Sequence, residues 1–429
     1  MDHLSDWLAT RLDSPHTVGI SGVRVGDHEF FYAIIVRARE CLVLNKTIVK
    51  LAIPVAVGAL ALTGCGGGDS GSGGSTVKIA FEGPLSGDNV ALGENMQNGV
   101  QLAIKQANAS GDLDFKLEYV AADDQGLPDK APTAAQKVID DPDVKAVVGP
   151  AFSGPTNSAS PLYAEAGLVT VSPSATNPSL TDEANGFASL LRAVPNDNMQ
   201  GKAMGDFFAK KIGAKKVYLI DDKTDYGVGL SKVAEETLKS AGVSVVKKSV
   251  PQKTPDYSAT AKDVVNSKAD ALIYAGYYQD LAPFAKKLSD AGFKGAAISG
   301  DGSNDVKFVE LAGDASENWY LTCPCTDATV EAGTKKFAED YQKEFNRAPG
   351  TYSAEAYDVA NMIIAEIKKT GGDVEREALR DALSKASYKG LTKTFSFEKN
   401  GEFKGTDVFV YQVKSGKIAY QGNVNELIG

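Results

Sequence analysis

Residues 144–172 read VKAVVGPAFSGPTNSASPLYAEAGLVTVS. The run Val144 to Val148 is rich in β-branched residues and is broken by Gly149-Pro150, as a short buried strand would be. Thr156 to Ala166 then has the composition of a short helix that stops before Gly167, and Leu168 to Ser172 is a second strand. A helix between two strands is a crossover, which makes the strands parallel and the turn right-handed.

The same alternation extends in both directions. Upstream lie strands at Val77 to Glu82 and Phe115 to Ala121, with helices at Asn89 to Ala107 and Thr133 to Ile139. The pattern restarts after Leu190-Leu191-Arg192-Ala193-Val194-Pro195. Strands at Lys216 to Asp221, Val243 to Val250, Ala269 to Ala275 and Gly295 to Ser299 alternate with helices near Met199 to Lys211, Gly229 to Ala241, Ser258 to Asn266 and Asp280 to Ala291. Three helical stretches follow, Val330 to Phe345, Ala354 to Lys369 and Arg376 to Ala386. A tail of strands at Thr394 to Phe397, Val408 to Val413 and Lys417 to Tyr420 is punctuated by Asn400-Gly401 and Ser415-Gly416. The fold class is α/β, with two Rossmann-like lobes of parallel sheet.

Composition removes whole classes of function. The 429 residues carry 55 acidic and 45 basic side chains, a net charge of -10 with no basic block, which argues against nucleic-acid binding. The only histidines are His3, His16 and His28. A body beginning beyond them has no Ser-His-Asp or Cys-His catalysis and no histidine-ligated metal. No Walker A loop, GxGxxG or GxSxG elbow follows Cys65, and Asp301-Gly302-Ser303-Asn304-Asp305 opens like a calcium loop but has Val306 where glycine is required. The expectation is a binding protein with no cofactor and no metal, not an enzyme.

The N-terminal region reads as an export signal. Lys46 and Lys50 precede the apolar run Leu51 to Leu62, too short to span a bilayer, and Leu62-Thr63-Gly64-Cys65 follows. These four residues resemble the lipobox of bacterial lipoproteins, which implies lipidation of Cys65. The tract 66–75, GGGDSGSGGS, is a flexible tether. On this reading residues 1–43 are an untranslated or non-native leader, 44–64 the signal peptide and 65–75 the lipidated cysteine with its tether. Cys323-Pro324-Cys325 admits a disulfide, a redox pair or two thiols, and export favours a disulfide with a structural role.

Seven pieces in register carry a resemblance: Gly83-Pro84-Leu85-Ser86-Gly87, Asp123-Asp124, Gly149-Pro150-Ala151-Phe152-Ser153, Ser172-Pro173-Ser174-Ala175-Thr176, Asp221-Asp222 with Tyr226-Gly227 and Gly229, Tyr274-Ala275-Gly276-Tyr277, and Gly300-Asp301-Gly302. Through Thr76 to Gly429 the chain resembles the leucine/isoleucine/valine-binding family of periplasmic substrate-binding proteins, the receptor subunits of ABC importers.

The resemblance implies three crossings between lobes, near Ala193 to Pro195, Leu321 to Thr326 and Phe403 to Gly405. The lobes would then comprise 76–193 with 327–403 and 194–326 with 404–429. It implies a monomeric, lipid-anchored extracytoplasmic receptor whose partners are a free amino acid, branched-chain first, and an ABC permease. An amide, urea or aromatic acid is the alternative ligand, and an exported enzyme a distant one. Ser153 and Thr176, with their backbone N–H groups, would hold the α-carboxylate, aided by a helix beginning after Pro155. Asp301 would take the ammonium, with Tyr277 beside it and the Ser174 carbonyl opposite; Ala175 lies between Ser174 and Thr176. Leu92, Phe152, Tyr226 and Tyr352 would surround the ligand side chain. Taken singly these residues also fit plain roles: N-caps for Ser153 and Thr176, a turn aspartate for Asp301, core for the large four. Some family members join the loops at Gly126 and Phe152 by a disulfide; here that support must come from packing.

Overall fold

A computed structural model describes residues 75–182 and 187–429. The leader, the signal-peptide reading and Cys65 lie outside the described residues. Among those residues no helix is long and apolar enough to cross a membrane.

The first half alternates as its residues dictate. Strands β1 (Thr76–Gly83), β2 (Lys116–Asp123), β3 (Val144–Val148) and β4 (Val169–Ser172) are separated by helices α1 (Val90–Ala109), α2 (Ala131–Ile139) and α3 (Ser153–Glu165). With β5 (Leu190–Arg192) they form a parallel sheet in the order β2-β1-β3-β4-β5. The second half winds identically. Helix α4 (Asp197–Asp206) runs on as a π turn to Ile212, and β6 (Lys216–Asp221), α5 (Asp225–Ser240), β7 (Ser244–Ser249), α6 (Ser258–Asn266), β8 (Ala271–Ala275), α7 (Tyr278–Asp290), β9 (Ala296–Ser299), α8 (Val306–Ala312) and β10 (Tyr320–Cys323) follow. Their strands stand in the order β7-β6-β8-β9-β10, all parallel. In each sheet the order reverses at the first strand, so the crevice at the strand carboxyl ends opens beside β1 and β3 in one lobe and beside β6 and β8 in the other.

The chain passes between the two sheets three times. After β5 it enters α4, which packs on α5; after β10 it returns through α9 (Lys335–Phe345), α10 (Ser353–Lys368) and α11 (Arg376–Ser384), where α10 packs on α1 and α11 on β3 and β4. A short pair, β11 (Tyr388–Lys389) and β12 (Thr394–Phe395), precedes the last passage, after which β13 (Phe409–Lys414) and β14 (Lys417–Asn423) extend the second sheet antiparallel and α12 (Val424–Ile428) ends the chain. The hairpin between β13 and β14 turns at Ser415 and Gly416, both at positive φ.

Local details differ from expectation. Helix α3 begins at Ser153 rather than Thr156, and α9 at Lys335 rather than Val330. Cys323 and Cys325 form a disulfide, with Cα atoms 5.0 Å apart because the chain bends at Pro324 instead of staying extended.

Candidate functional site

Loops and helix ends of both crevices deliver residues to one point between the lobes. Phe152 and Ser153 come from the turn after β3, Ser174 from the turn after β4, Tyr226 from the first turn of α5, Tyr277 from the turn after β8, and Asp301 and Gly302 from the turn after β9. Leu92 and Met96 reach in from α1, and Tyr352 from the residue before α10. These ten residues line one cavity whose free volume is about 10 Å³, the room one water needs. Eight of them are the residues the sequence indicates. Met96 and Gly302 are additions, although Met96 lies one turn after Leu92 on the same helix.

Asp301 is the electrostatic centre. It is buried, and Oδ1 accepts hydrogen bonds from Gln200 Nε2 (2.7 Å) and the Tyr226 hydroxyl (2.7 Å), while Oδ2 accepts from the Tyr352 hydroxyl (2.8 Å). Burial raises its pKa, and these three donors oppose the rise. The hydroxyls of Tyr226 and Tyr352 remain protonated donors, because burial first and the nearby Asp301 charge next push both well above the ordinary phenol range. Oδ2 keeps capacity for another donor.

Glycines on both sides of Asp301 make this possible. A Cβ on Gly300 would run into the Tyr226 hydroxyl and the Gln200 amide, and one on Gly302 would lie 2.9 Å from the Tyr226 ring and 3.0 Å from the Tyr277 ring. The Gly-Asp-Gly segment is therefore not a plain turn, since its glycines admit the groups that hold the carboxylate.

The opposite wall is neutral. Ser153 is the first residue of α3, so its N–H is one of the unpaired donors at the helix start, and its hydroxyl accepts from Asn177 N (3.2 Å). The Ser174 hydroxyl donates to Ala151 O (2.7 Å) and contacts Met96 Sδ (3.2 Å). The Phe152 ring packs against Tyr277 with centroids 4.5 Å apart, and Tyr277 meets Tyr226 at 5.1 Å. A Cβ on Gly126 would lie 3.0 Å from the Phe152 ring, so the two loops are supported by close packing.

Two expected residues are not in the cavity wall. Ala175 N donates to Ser172 Oγ (3.0 Å) and its carbonyl accepts from Arg192 Nη1. Thr176 is fully buried, its carbonyl accepting from Asp197 N (2.9 Å). Both stand one layer behind, held by residues that arrive after β4.

A buried carboxylate and a helix-start N–H that face one aromatic-walled cavity between two lobes define a solute-binding site. The chain belongs to the periplasmic binding protein family, whose model matches residues 76–417, and within it to the leucine/isoleucine/valine-binding branch. It is 30% identical over 346 residues to the Leu/Ile/Val-binding protein BraC3 of Rhizobium johnstonii, covering 80% of this chain and 93% of that one. It is 29% identical over 340 residues to the leucine-, isoleucine-, valine-, threonine- and alanine-binding protein of Pseudomonas aeruginosa (79% and 90%). Among solved structures, the branched-chain amino acid transporter substrate-binding protein LivJ of Streptococcus pneumoniae, in complex with isoleucine, matches with a TM-score of 0.74 and 29% identity, over 81% of this chain and 99% of that one. The family implies an extracytoplasmic location, an ABC permease as partner and solute binding.

Proposed function

We propose that this chain captures a free amino acid, with leucine, isoleucine and valine as leading ligands, and presents it to an ABC permease while anchored to the membrane through lipid on Cys65. The observation that carries the ligand reading is the charge of the cavity wall: among the described residues Asp301 is its only charged side chain, and no lysine, arginine or histidine lines it. An aromatic acid without an ammonium group would bring a carboxylate to a site whose only formal charge is negative. A zwitterion offers the ammonium to Asp301 and Tyr277 and the carboxylate to Ser153, with Ser174 beside it. Thr176 and Ala175 contribute from behind. Leu92, Met96, Phe152, Tyr226 and Tyr352 favour an aliphatic side chain. Because the free volume is far below that of an amino acid, uptake needs the lobes to part, and periplasmic binding proteins are an established instance of hinge closure around a ligand.

Calorimetry with leucine, isoleucine, valine, phenylalanine and urea tests the reading. Wild type is expected to bind the branched-chain amino acids, and Asp301→Ala to lose about 2–5 kcal/mol of affinity, as for one partner of a buried charge pair. Unaltered affinity in the variant removes the ammonium role, and binding of urea alone replaces the ligand. For the anchor, Cys65→Ala protein should leave the detergent phase in a Triton X-114 partition; retention there overturns lipidation.

A further inference from the structure

Asp197 is absent from the cavity wall, yet it is completely buried on the first turn of α4, with Gln200 one turn further along the same helix. Its N–H is bonded to the Thr176 carbonyl at 2.9 Å. Neither of its carboxyl oxygens has a hydrogen-bond partner of good geometry, nor has Thr176 Oγ1 beside it or Gln200 Oε1 one turn along the helix. The Thr176 hydroxyl is near enough to favour the charged form of Asp197, without forming a hydrogen bond of good geometry to it. Natural interiors leave few such atoms unpaired.

The charged and titratable groups facing Asp197 are Asp301 on the turn after β9, Arg192 at the end of β5, Glu402 in the loop before β13, Tyr226 on α5 and Tyr277 before α7. Arg192 is already committed: its guanidinium bonds Glu402 (3.0 Å), the carbonyls of Ala175 and Asn177, and the Thr181 hydroxyl (2.9 Å). The Tyr226 hydroxyl donates to Asp301. Two carboxyls thus share one buried region on unequal terms, because Asp301 has three well-formed donors and Asp197 has only the Thr176 hydroxyl near it, without a hydrogen bond of good geometry. Charge settles where the donors are, and the proton settles on the other group. Burial, then the charge of Asp301, pushes the Asp197 carboxyl well above the usual range, with Thr176 and Arg192 opposing the rise only in part.

We propose that Asp197 is a positioning residue that stores a proton in the unliganded site and gives it up to solvent when an ammonium-bearing ligand binds at Asp301. The proposal rests on the amino-acid reading above. The arriving ammonium offsets the field of Asp301 that disfavoured a second negative charge; the Asp197 O–H bond then breaks, its electron pair stays on the carboxylate and the proton passes to buffer. One positive charge arrives at Asp301 as one proton leaves Asp197, and the ligand carboxylate is taken up on the opposite wall at Ser153. The new carboxylate acts through its neighbours Thr176 and Gln200 on the residues that touch the ligand. Since binding releases a proton, affinity rises with pH until the unliganded Asp197 is itself ionised.

The test is calorimetric titration of leucine into the full-length protein in phosphate, imidazole and Tris at pH 6, 7 and 8. The dependence of the observed enthalpy on buffer ionisation enthalpy counts the protons. Wild type should release up to one proton per leucine, with affinity rising by up to tenfold per pH unit, whereas Asp197→Asn should release none and show a flat pH profile. A wild-type enthalpy independent of buffer at all three pH values overturns the inference, whether or not the variant folds. So does proton release in Asp197→Asn equal to that of wild type. Absence of binding by any amino acid overturns the functional reading and takes this inference with it, whereas binding without proton release overturns the inference alone.

Discussion

At Gly300 one missing methyl group decides whether Asp301 can be both buried and charged. Its neighbours Tyr226 and Gln200 occupy the space a Cβ would need. Gly300→Ala should therefore displace two of the three donors to Asp301. A lost hydrogen bond to a charged group is worth about 1.5–3 kcal/mol, so leucine affinity should fall at least about tenfold. Overpacking should also cost about 1–3 kcal/mol of stability. Calorimetry paired with urea unfolding checks both, and a variant binding leucine as tightly as wild type would show that the donors do not matter. The same scale explains why Tyr352 belongs to the site: it sits at φ 64°, the left-handed region, immediately before α10, and its hydroxyl reaches Asp301 from the first lobe.

At the scale of elements, long periodic segments are legible in the sequence and short ones are not. Strands β3 and β6 and helix α6 fall on the residues that alternation indicates, since each has a clean apolar face between breakers. Strands β5 and β10, of three and four residues, read only as junctions. The first contains Arg192, and an arginine in a buried parallel strand contradicts the hydrophobic pattern that marks one. What makes it tolerable is Glu402, 210 positions away, together with carbonyls of the Ala175 to Asn177 loop. No local signal announces a partner so distant. The sequence puts the start of helix α3 three residues late because Gly154 and Pro155 look like breakers, although Pro is at home in a first helical turn. The candidate site is more legible than the elements around it, because strand carboxyl ends converge in this fold whatever their exact bounds. Its supporting layer is not: Gln200 and Asp197 lie on a helix whose sequence gives no hint that its first turn bridges both lobes.

At the scale of the whole molecule, the lobes meet around an excess of buried acid, and this shapes stability as well as binding. Between the lobes, buried Asn95 bonds Asp305 at 2.9 Å, and the exposed pair Lys253 and Asp88 meets at 2.9 Å. Beneath the site loops, burial pushes Asp124 and Asp222 up to about 7 despite hydrogen bonds from Gly126 and Thr224, and Asp358 up to about 6 despite those from Leu391 and Thr392. Unfolded aspartate titrates near 3.9. Between about pH 4 and 7 the folded protein therefore binds more protons than the unfolded chain, and stability falls as pH rises. The contribution is fully present below the unfolded value and is lost through the folded one. Asp141, held below the ordinary range chiefly by Lys78, and Glu235, held there chiefly by Lys239, act in the opposite sense, and only as pH falls through their depressed values. Urea unfolding should therefore show stability declining on the order of a few kcal/mol from pH 5 to pH 8, with Asp124→Asn flattening part of the slope. A stability that is constant or rises over that range would contradict the raised titration of these buried carboxyls. Ligand affinity is expected to move the other way with pH. The stability slope comes from Asp124, Asp222 and Asp358 and the affinity slope from the proton released at Asp197, so stabilisation by a fixed concentration of leucine should be greatest at the high-pH end, where the unliganded protein is weakest.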